Sequence, residues 1–325
     1  MRIGSFNLEN LDDRPGLAPS LAERIPILRA RLHRLDCDLL CLQEVNAQTV
    51  ESQAPRRLRA LERLIADTPY AGYHLCATTS PSGSGPADRH NLVILSRWPI
   101  LEHRQFRHDL VAPPSYRPAT AEPPEAAPLP IEWDRPALMA TVALPGERPL
   151  HLFNLHLRAP LAAPIAGQKR DPSTWKCLGG WAEGFFLAGI KRSGQALETR
   201  LAIERIFDGE PEALIAVCGD FNAEDRETPL SIIRGDCSDG DNSHLAARRL
   251  IALERSLPDT QRFSVLHGGR RLMLDHLMVS QALMAFYRHI EVHNEALGDE
   301  LTGEGAAVPG LDSHHAPIVA AFEIR

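Results

Sequence analysis

Apolar residues recur along this chain in two rhythms that take turns. Residues 2–8 read as a strand carrying polar Ser5 and Asn7, the leucines of Leu21–Leu35 repeat at helical spacing, and 38–45 is a compact apolar strand. A basic helical stretch follows at 55–66. Strands come next at 73–79 and 91–100, joined by the turn-rich Ser80-Pro81-Ser82-Gly83-Ser84-Gly85-Pro86 link. Residues 109–136 hold eight prolines and several acids, a composition that disfavours helix and central strand alike and predicts an extended surface loop. Strands resume at 131–144 and 149–157, a long helix runs over 182–207, and a strand covers 212–221. After two more helical stretches the pattern predicts strands at 271–279, 290–294 and 317–324. No repeat and no long linker interrupts this order, so one domain over 1–325 is the economical organisation.

Polar residues close several of these strands. Ser5-Phe6-Asn7, Leu152-Phe153-Asn154 and Asp220-Phe221-Asn222 each end an apolar run in Phe-Asn. Strand side chains alternate between faces, so Asn7 with Glu9, Asn154 with His156, and Asp220 with Asn222 point the same way in pairs. Glu44 and Asp275 also stand at strand ends, and His314-His315 precedes the last strand. Taken singly, each is explained as a turn former or cap. Jointly they place carboxylates, amides and imidazoles at strand ends, and carboxylates brought together call for a cation.

Composition narrows the options. Hydrophobic residues at 44% and charged ones at 24% suit an ordinary globular protein, and the net charge of -7 argues against a surface coated for gripping long nucleic acid. The polar strand at the start leaves no room for a signal peptide, and no apolar run reaches the roughly 20 residues of a membrane span, so a soluble, cytoplasmic protein is expected. The six cysteines are scattered and read as free thiols. Nothing points to a protein partner.

Several stretches resemble the endonuclease/exonuclease/phosphatase family, relatives of pancreatic deoxyribonuclease, abasic-site endonucleases, sphingomyelinases and inositol phosphatases. Ser5-Phe6-Asn7-Leu8-Glu9-Asn10, Leu42-Gln43-Glu44-Val45, the 91–99 strand, Asn154-Leu155-His156-Leu157, Gly219-Asp220-Phe221-Asn222 and Leu274-Asp275-His276 carry the likeness over nearly the whole chain. The resemblance implies an α/β (α+β) four-layer sandwich, two mixed β-sheets packed face to face and flanked by helices. It also implies a divalent-metal-dependent phosphoesterase. One departure stands out: the family usually ends in Ser-Asp-His, and here the run is Ser313-His314-His315.

On this reading Glu44, Glu9 and Asn7 offer oxygens to Mg²⁺. At the departure, either Asp312 compensates or His314 binds the metal directly and favours Mn²⁺. Asp220 orients or deprotonates the attacking water, Asn222 fixes it, Asp275 holds His315 protonated, and His156 and Asn154 contact the phosphate side. Residues 158–192 form an insertion with six basic residues against two acidic, interleaved with Trp175, Trp181, Phe185 and Phe186. Its aromatics either cover substrate or pack a helix on the body, and Arg192 and Gln195 are its candidate substrate contacts. The expected substrate is a phosphate ester, a nucleic acid or nucleotide first among them. A phospholipid or sphingomyelin-type phosphodiesterase and a non-catalytic relative with a decayed metal site are the alternatives.

Overall fold

The computed structural model describes residues 1–49, 54–146, 148–237, 240–301 and 310–324. In chain order its elements begin with β1 (Arg2–Leu11), α1 (Leu21–Leu35), β2 (Leu39–Val45), α2 (Arg59–Ile65), β3 (His74–Ala77), β4 (Asn91–Ser96) and β5 (Ile100–Phe106). A small ribbon of β6 (Ser115–Tyr116) and β7 (Leu129–Pro130) precedes β8 (Ala137–Ala143), β9 (Pro149–His156), α3 (Leu178–Gly209), β10 (Leu214–Asp220) and α4 (Thr228–Arg234). Then come β11 (Ile251–Ala252), a second ribbon of β12 (Val265–His267) and β13 (Arg270–Leu272), β14 (Asp275–Val279), α5 (Gln281–Met284), β15 (Tyr287–Val292) and β16 (Ile318–Phe322).

Two six-stranded sheets form, in the orders β15-β16-β1-β2-β4-β3 and β11-β14-β10-β9-β8-β5. Both are mixed: β1 runs parallel to β2 and β9 to β10, whereas β16 and β14 lie antiparallel beside them. Period-two alternation decides what each face meets. In β2, Leu39 and Cys41 point inward to a core shared with Leu152, Ala216 and Cys218 of the other sheet. Its neighbours Leu40 and Leu42 point outward against Leu28 and Leu32 of α1 and Leu61 of α2. On the opposite side Phe153, Ile215 and Val217 meet Ile203 and Phe207 of α3 and Leu230 of α4. The layers are therefore helix, sheet, sheet, helix, as the family resemblance implies. Full burial of each such leucine contributes about 2 kcal/mol.

Some predicted elements change. The 91–100 strand divides at Pro99, which lacks the N–H a continuous ladder needs, and β4 and β5 fall in different sheets. The 271–279 strand divides into β13 and β14, and 131–144 begins only after Pro136. The proline-rich 109–136 segment folds back on itself through β6 and β7 and ties to α3, where Glu198 accepts from Leu110 N and Trp133 Nε1 at 2.9 and 2.8 Å. Among the described residues no helix is long and apolar enough to cross a membrane.

Candidate active site

The parallel pairs β1/β2 and β9/β10 face each other across the shared core, so their C-terminal ends form one rim. The antiparallel neighbours enter that rim by their starts: Asp275 opens β14 directly opposite Asp220, and His315 lies just before β16. Backbone geometry there is unusual. Among the described residues, seven non-glycine positions have positive φ, and Glu9, Asn10, Glu44, His90 and Asn222 of this rim are five of them. Such strain, costing about 1–2 kcal/mol per residue, persists where packing imposes it and clusters at functional sites. Gly219, at φ 141°, turns the chain into Asp220 so close to β9 that an added Cβ would sit 2.0 Å from the Leu155 carbonyl oxygen.

Asp220 Oδ2 is the centre of the site. Asn7 Nδ2 donates to it at 3.0 Å and Asn222 Nδ2 at 3.2 Å, while His156 Nε2 lies 3.4 Å and His315 Nε2 3.9 Å away. The Asn222 backbone N–H donates to the other oxygen at 2.9 Å. Glu44 stands alongside, its Oε1 3.4 Å from Asn7 Nδ2 and 3.6 Å from His156 Nε2, and its Oε2 accepting from Asn10 N at 2.9 Å. Burial pushes the Asp220 carboxyl up to about 7 even though the His315 charge pulls the other way. Burial also opposes a charge on His315, but Asp275, 2.8 Å from its Nδ1, and then Asp220 outweigh it and raise His315 to about 10. His156 is driven well below its ordinary value by burial and then by the Arg135 charge, so it is neutral.

The sequence-predicted residues therefore fall into two groups. Asn7, Glu44, His156, Asp220, Asn222, Asp275 and His315 converge. Glu9 lies at the edge of the group, gripped by His314, whose Nδ1 is 2.9 Å and backbone N 2.8 Å from Glu9 Oε2. Asp312 does not fill the position His314 took: two nitrogens of Arg31 donate to its Oδ2 at 2.9 and 2.6 Å.

The three proposed substrate contacts have other partners. Asn154 is fully buried between the sheets; its amide takes the Leu42 and Val93 carbonyls at the β2/β4 bulge, at 3.0 and 2.9 Å, and accepts from Gln43 Nε2 at 2.7 Å. It clasps the two sheets and offers no free group. Gln195 joins Arg135 O to Arg158 N, each at 2.9 Å, and Arg192 donates to the Asn222 carbonyl while pairing with Glu227. Both hold the loops under the site.

Sequence reasoning missed Arg135 and His90. The end of the proline-rich loop brings the Arg135 guanidinium to His90 Nδ1 at 2.9 Å and to the Leu157 carbonyl at 3.4 Å. Burial works against the Arg135 charge, and the Glu44 and Asp220 carboxylates offset part of that. His90 Nε2 in turn lies 2.8 Å from Asn10 Oδ1. The available signal was position: His90 immediately precedes β4, and Arg135 precedes β8 with only Pro136 between them.

A divalent cation suits this arrangement. Glu44, Asp220 and Asp275 gather with no lysine or arginine ion pair among the described residues; the His315 imidazolium answers Asp275, while Glu44 meets His90 and His156, both held below their ordinary values by burial first. Ligand atoms of Asp220, Asp275 and His315 also lie within 4.8 Å of one another. A protonated His315 has no lone pair to offer, however, which favours the Glu44 side for the ion.

The profile of the Endonuclease/Exonuclease/phosphatase family matches residues 4–296, so the chain belongs to this family. Solved structures share its fold along essentially the whole length. A humanized TDP2 from D. rerio is 14% identical with a TM-score of 0.57, covering 100% of this chain and 99% of its own. The 3'-5' exonuclease NExo from Neisseria meningitidis is 18% identical (TM-score 0.54), and a mannosyl-6-phosphatase from Bacteroides thetaiotaomicron 13% (TM-score 0.58), each with 100% of both chains covered. No curated protein matches the chain.

Proposed function

We propose that this site hydrolyses a phosphate ester with a bound divalent cation, Mg²⁺ or, if His314 takes part, Mn²⁺. The reading includes a phosphodiester or phosphomonoester of a nucleic acid, a nucleotide or another small molecule. The observation that carries it is the convergence on Asp220 Oδ2 of amides and imidazoles from β1, β9, the Asn222 turn and the segment before β16. Glu44, with Asn7 and Glu9 beside it, would hold the cation, which when bound supplies Lewis-acid neutralisation of the phosphoryl oxygens.

The protein's own groups do the rest. Asp220, poised near neutrality, takes a proton from the attacking water, and the Asn7 and Asn222 amides fix the direction of its carboxylate. The His315 imidazolium, locked by Asp275, faces the same oxygen and stabilises negative charge growing on the phosphate. Neutral His156, its Nε2 3.4 Å from Asp220 Oδ2, is placed to donate to a phosphate oxygen, and Arg135 adds a fixed positive charge. We read the chain as one domain, because both sheets build one core, and as cytoplasmic, because Cys37, Cys41, Cys76 and Cys218 are buried free thiols.

Hydrolysis of bis-p-nitrophenyl phosphate with Mg²⁺ or Mn²⁺ tests the proposal. Turnover should vanish with EDTA and fall by about 100-fold or more in Asp220→Asn and His315→Ala, on the scale of losing a catalytic proton acceptor or a charge-stabilising donor. A folded, metal-supplied wild-type chain that shows no turnover would instead favour the non-catalytic alternative.

A further inference from the structure

The aromatic stretch makes only part of the contact between α3 and the body, where Phe186 meets Tyr116 edge-on with ring centroids 5.5 Å apart and Trp175 lies against Gly184. The helix face carrying Gly180, Glu183, Gly184 and Ala188 is buried there, with Glu183 accepting from Tyr116 Oη at 2.8 Å and Thr120 N at 2.9 Å. Trp181, Phe185 and Phe186 project from the same turns at 43%, 43% and 52% exposure. Trp181 and Phe185 stack on each other, ring centroids 5.3 Å apart and planes 19° from parallel. Large flat rings left in water beside a catalytic rim mark a binding surface more than a folding device.

Two further observations say what the surface takes. Phe185 and Phe186 open onto a groove of about 630 Å³ whose wall includes Arg192, the residue that donates to the Asn222 carbonyl, so the groove adjoins the catalytic turn. Arg226, four residues past Asn222, borders this groove and also a second one that Arg271 lines. Arg226 and Arg271 are exposed and form no ion pair among the described residues, whereas Arg158, Lys176, Lys191 and Arg192 nearby are all paired with carboxylates.

We propose that these grooves are a track for single-stranded nucleic acid, with bases stacking on Phe185 and Phe186 and phosphates meeting Arg226 and Arg271. The proposal rests on the phosphoesterase reading and deepens it: the substrate is a strand whose neighbouring nucleotides are held outside the scissile centre. Flat rings beside guanidiniums that no carboxylate pairs, Arg226 and an Arg271 lying over the Phe263 ring at 4.9 Å, match the alternation of base and phosphate. Arg255 and Arg262 of the second groove are taken by Asp225 and Asp259, and the chain's net charge of -7 confines the affinity to this surface. A lipid surface is the poorer match, because the two phenylalanines line a concavity and Trp181 and Phe185 stack together instead of splaying outward.

The test is fluorescence anisotropy of a labelled oligo-dT on the full chain carrying Asp220→Asn to prevent cleavage, with phosphatidylcholine/phosphatidylserine vesicles in parallel. Adding Phe185→Ala with Phe186→Ala should weaken oligonucleotide binding on the order of 10-fold, and the two Leu replacements, which keep bulk without a flat face, should weaken it similarly. Arg226→Glu with Arg271→Glu should also weaken it and flatten its salt dependence by about 1–2 in the log–log slope. Melting curves identify any variant that misfolds, and the Leu pair then replaces the Ala pair. Oligonucleotide affinity unchanged in the aromatic and arginine variants, no binding at all, or vesicle binding that alone depends on the rings would overturn the track. Turnover of bis-p-nitrophenyl phosphate by the unaltered chain separates the two readings: if present while the track fails, only the track is lost, and if absent, the phosphoesterase reading falls whatever the oligonucleotide does.

Discussion

Asp275→Asn isolates the charge that holds His315 protonated. His315 sits at about 10 against an ordinary 6.5, a difference of about 5 kcal/mol at roughly 1.4 kcal/mol per pH unit. Burial is the largest influence on it and opposes the charge; the Asp275 charge is the first influence to counter it, ahead of that of Asp220. An asparagine still accepts a hydrogen bond from His315 Nδ1, so the fold is kept, but burial then draws His315 back toward 6.5. At pH 8 its charged fraction falls from about 99% to about 3%, and at pH 6.5 only to about half. If the imidazolium stabilises the transition state, activity relative to wild type drops about 2-fold at pH 6.5 and about 30-fold at pH 8. The assay is a pH profile of kcat/KM on bis-p-nitrophenyl phosphate, with ¹⁵N imidazole shifts reporting His315 directly. An activity ratio that stays flat with pH, or a His315 still charged at pH 8 in the variant, refutes the reasoning.

Other consequences follow from the same geometry. Wild-type kcat/KM should fall below about pH 7, as Asp220 gains the proton that disables it as a base, and again above about pH 10, as His315 loses its own; a profile level from pH 5 to 8 argues against Asp220 as the proton acceptor. Asn154→Ala leaves the Leu42 and Val93 carbonyls and Gln43 Nε2 short of a partner inside the sandwich, and should lower stability by about 3 kcal/mol in denaturant titration. Gly219→Ala drives a Cβ into the Leu155 carbonyl and should lower the melting temperature and kcat together, with KM for bis-p-nitrophenyl phosphate nearly constant. His314→Asp restores the family's carboxylate beside Glu9; calorimetry should show tighter Mg²⁺ binding, and unchanged binding would place His314 outside the metal's reach.

What could be read from the sequence and what could not divide along one physical line. Glu44 and Asp220 were legible because each stands at the C-terminal end of an apolar core strand. Asn7 instead lies within β1, which runs on to Leu11, and Asp275 opens β14 and reaches the same rim because β14 runs antiparallel to β10. The layer order was legible for the same reason, since Leu39 and Cys41 facing inward oblige Leu40 and Leu42 to face a helix. Contacts made by irregular backbone carry no period. Arg135 arrives at the end of 109–136, a segment whose prolines predict only that it is neither helix nor central strand, and its aim at His90 is set by β6, β7 and the Glu198 contacts. Asn154 shows the converse limit. Its pairing with His156 at i, i+2 predicts a shared face, yet one position reaches the rim and the other ends in the seam, because depth along a strand is fixed by the register with β10 and by the bulge in the facing sheet. Position on a face is thus a property of local sequence, whereas access to a ligand depends on where the other sheet ends.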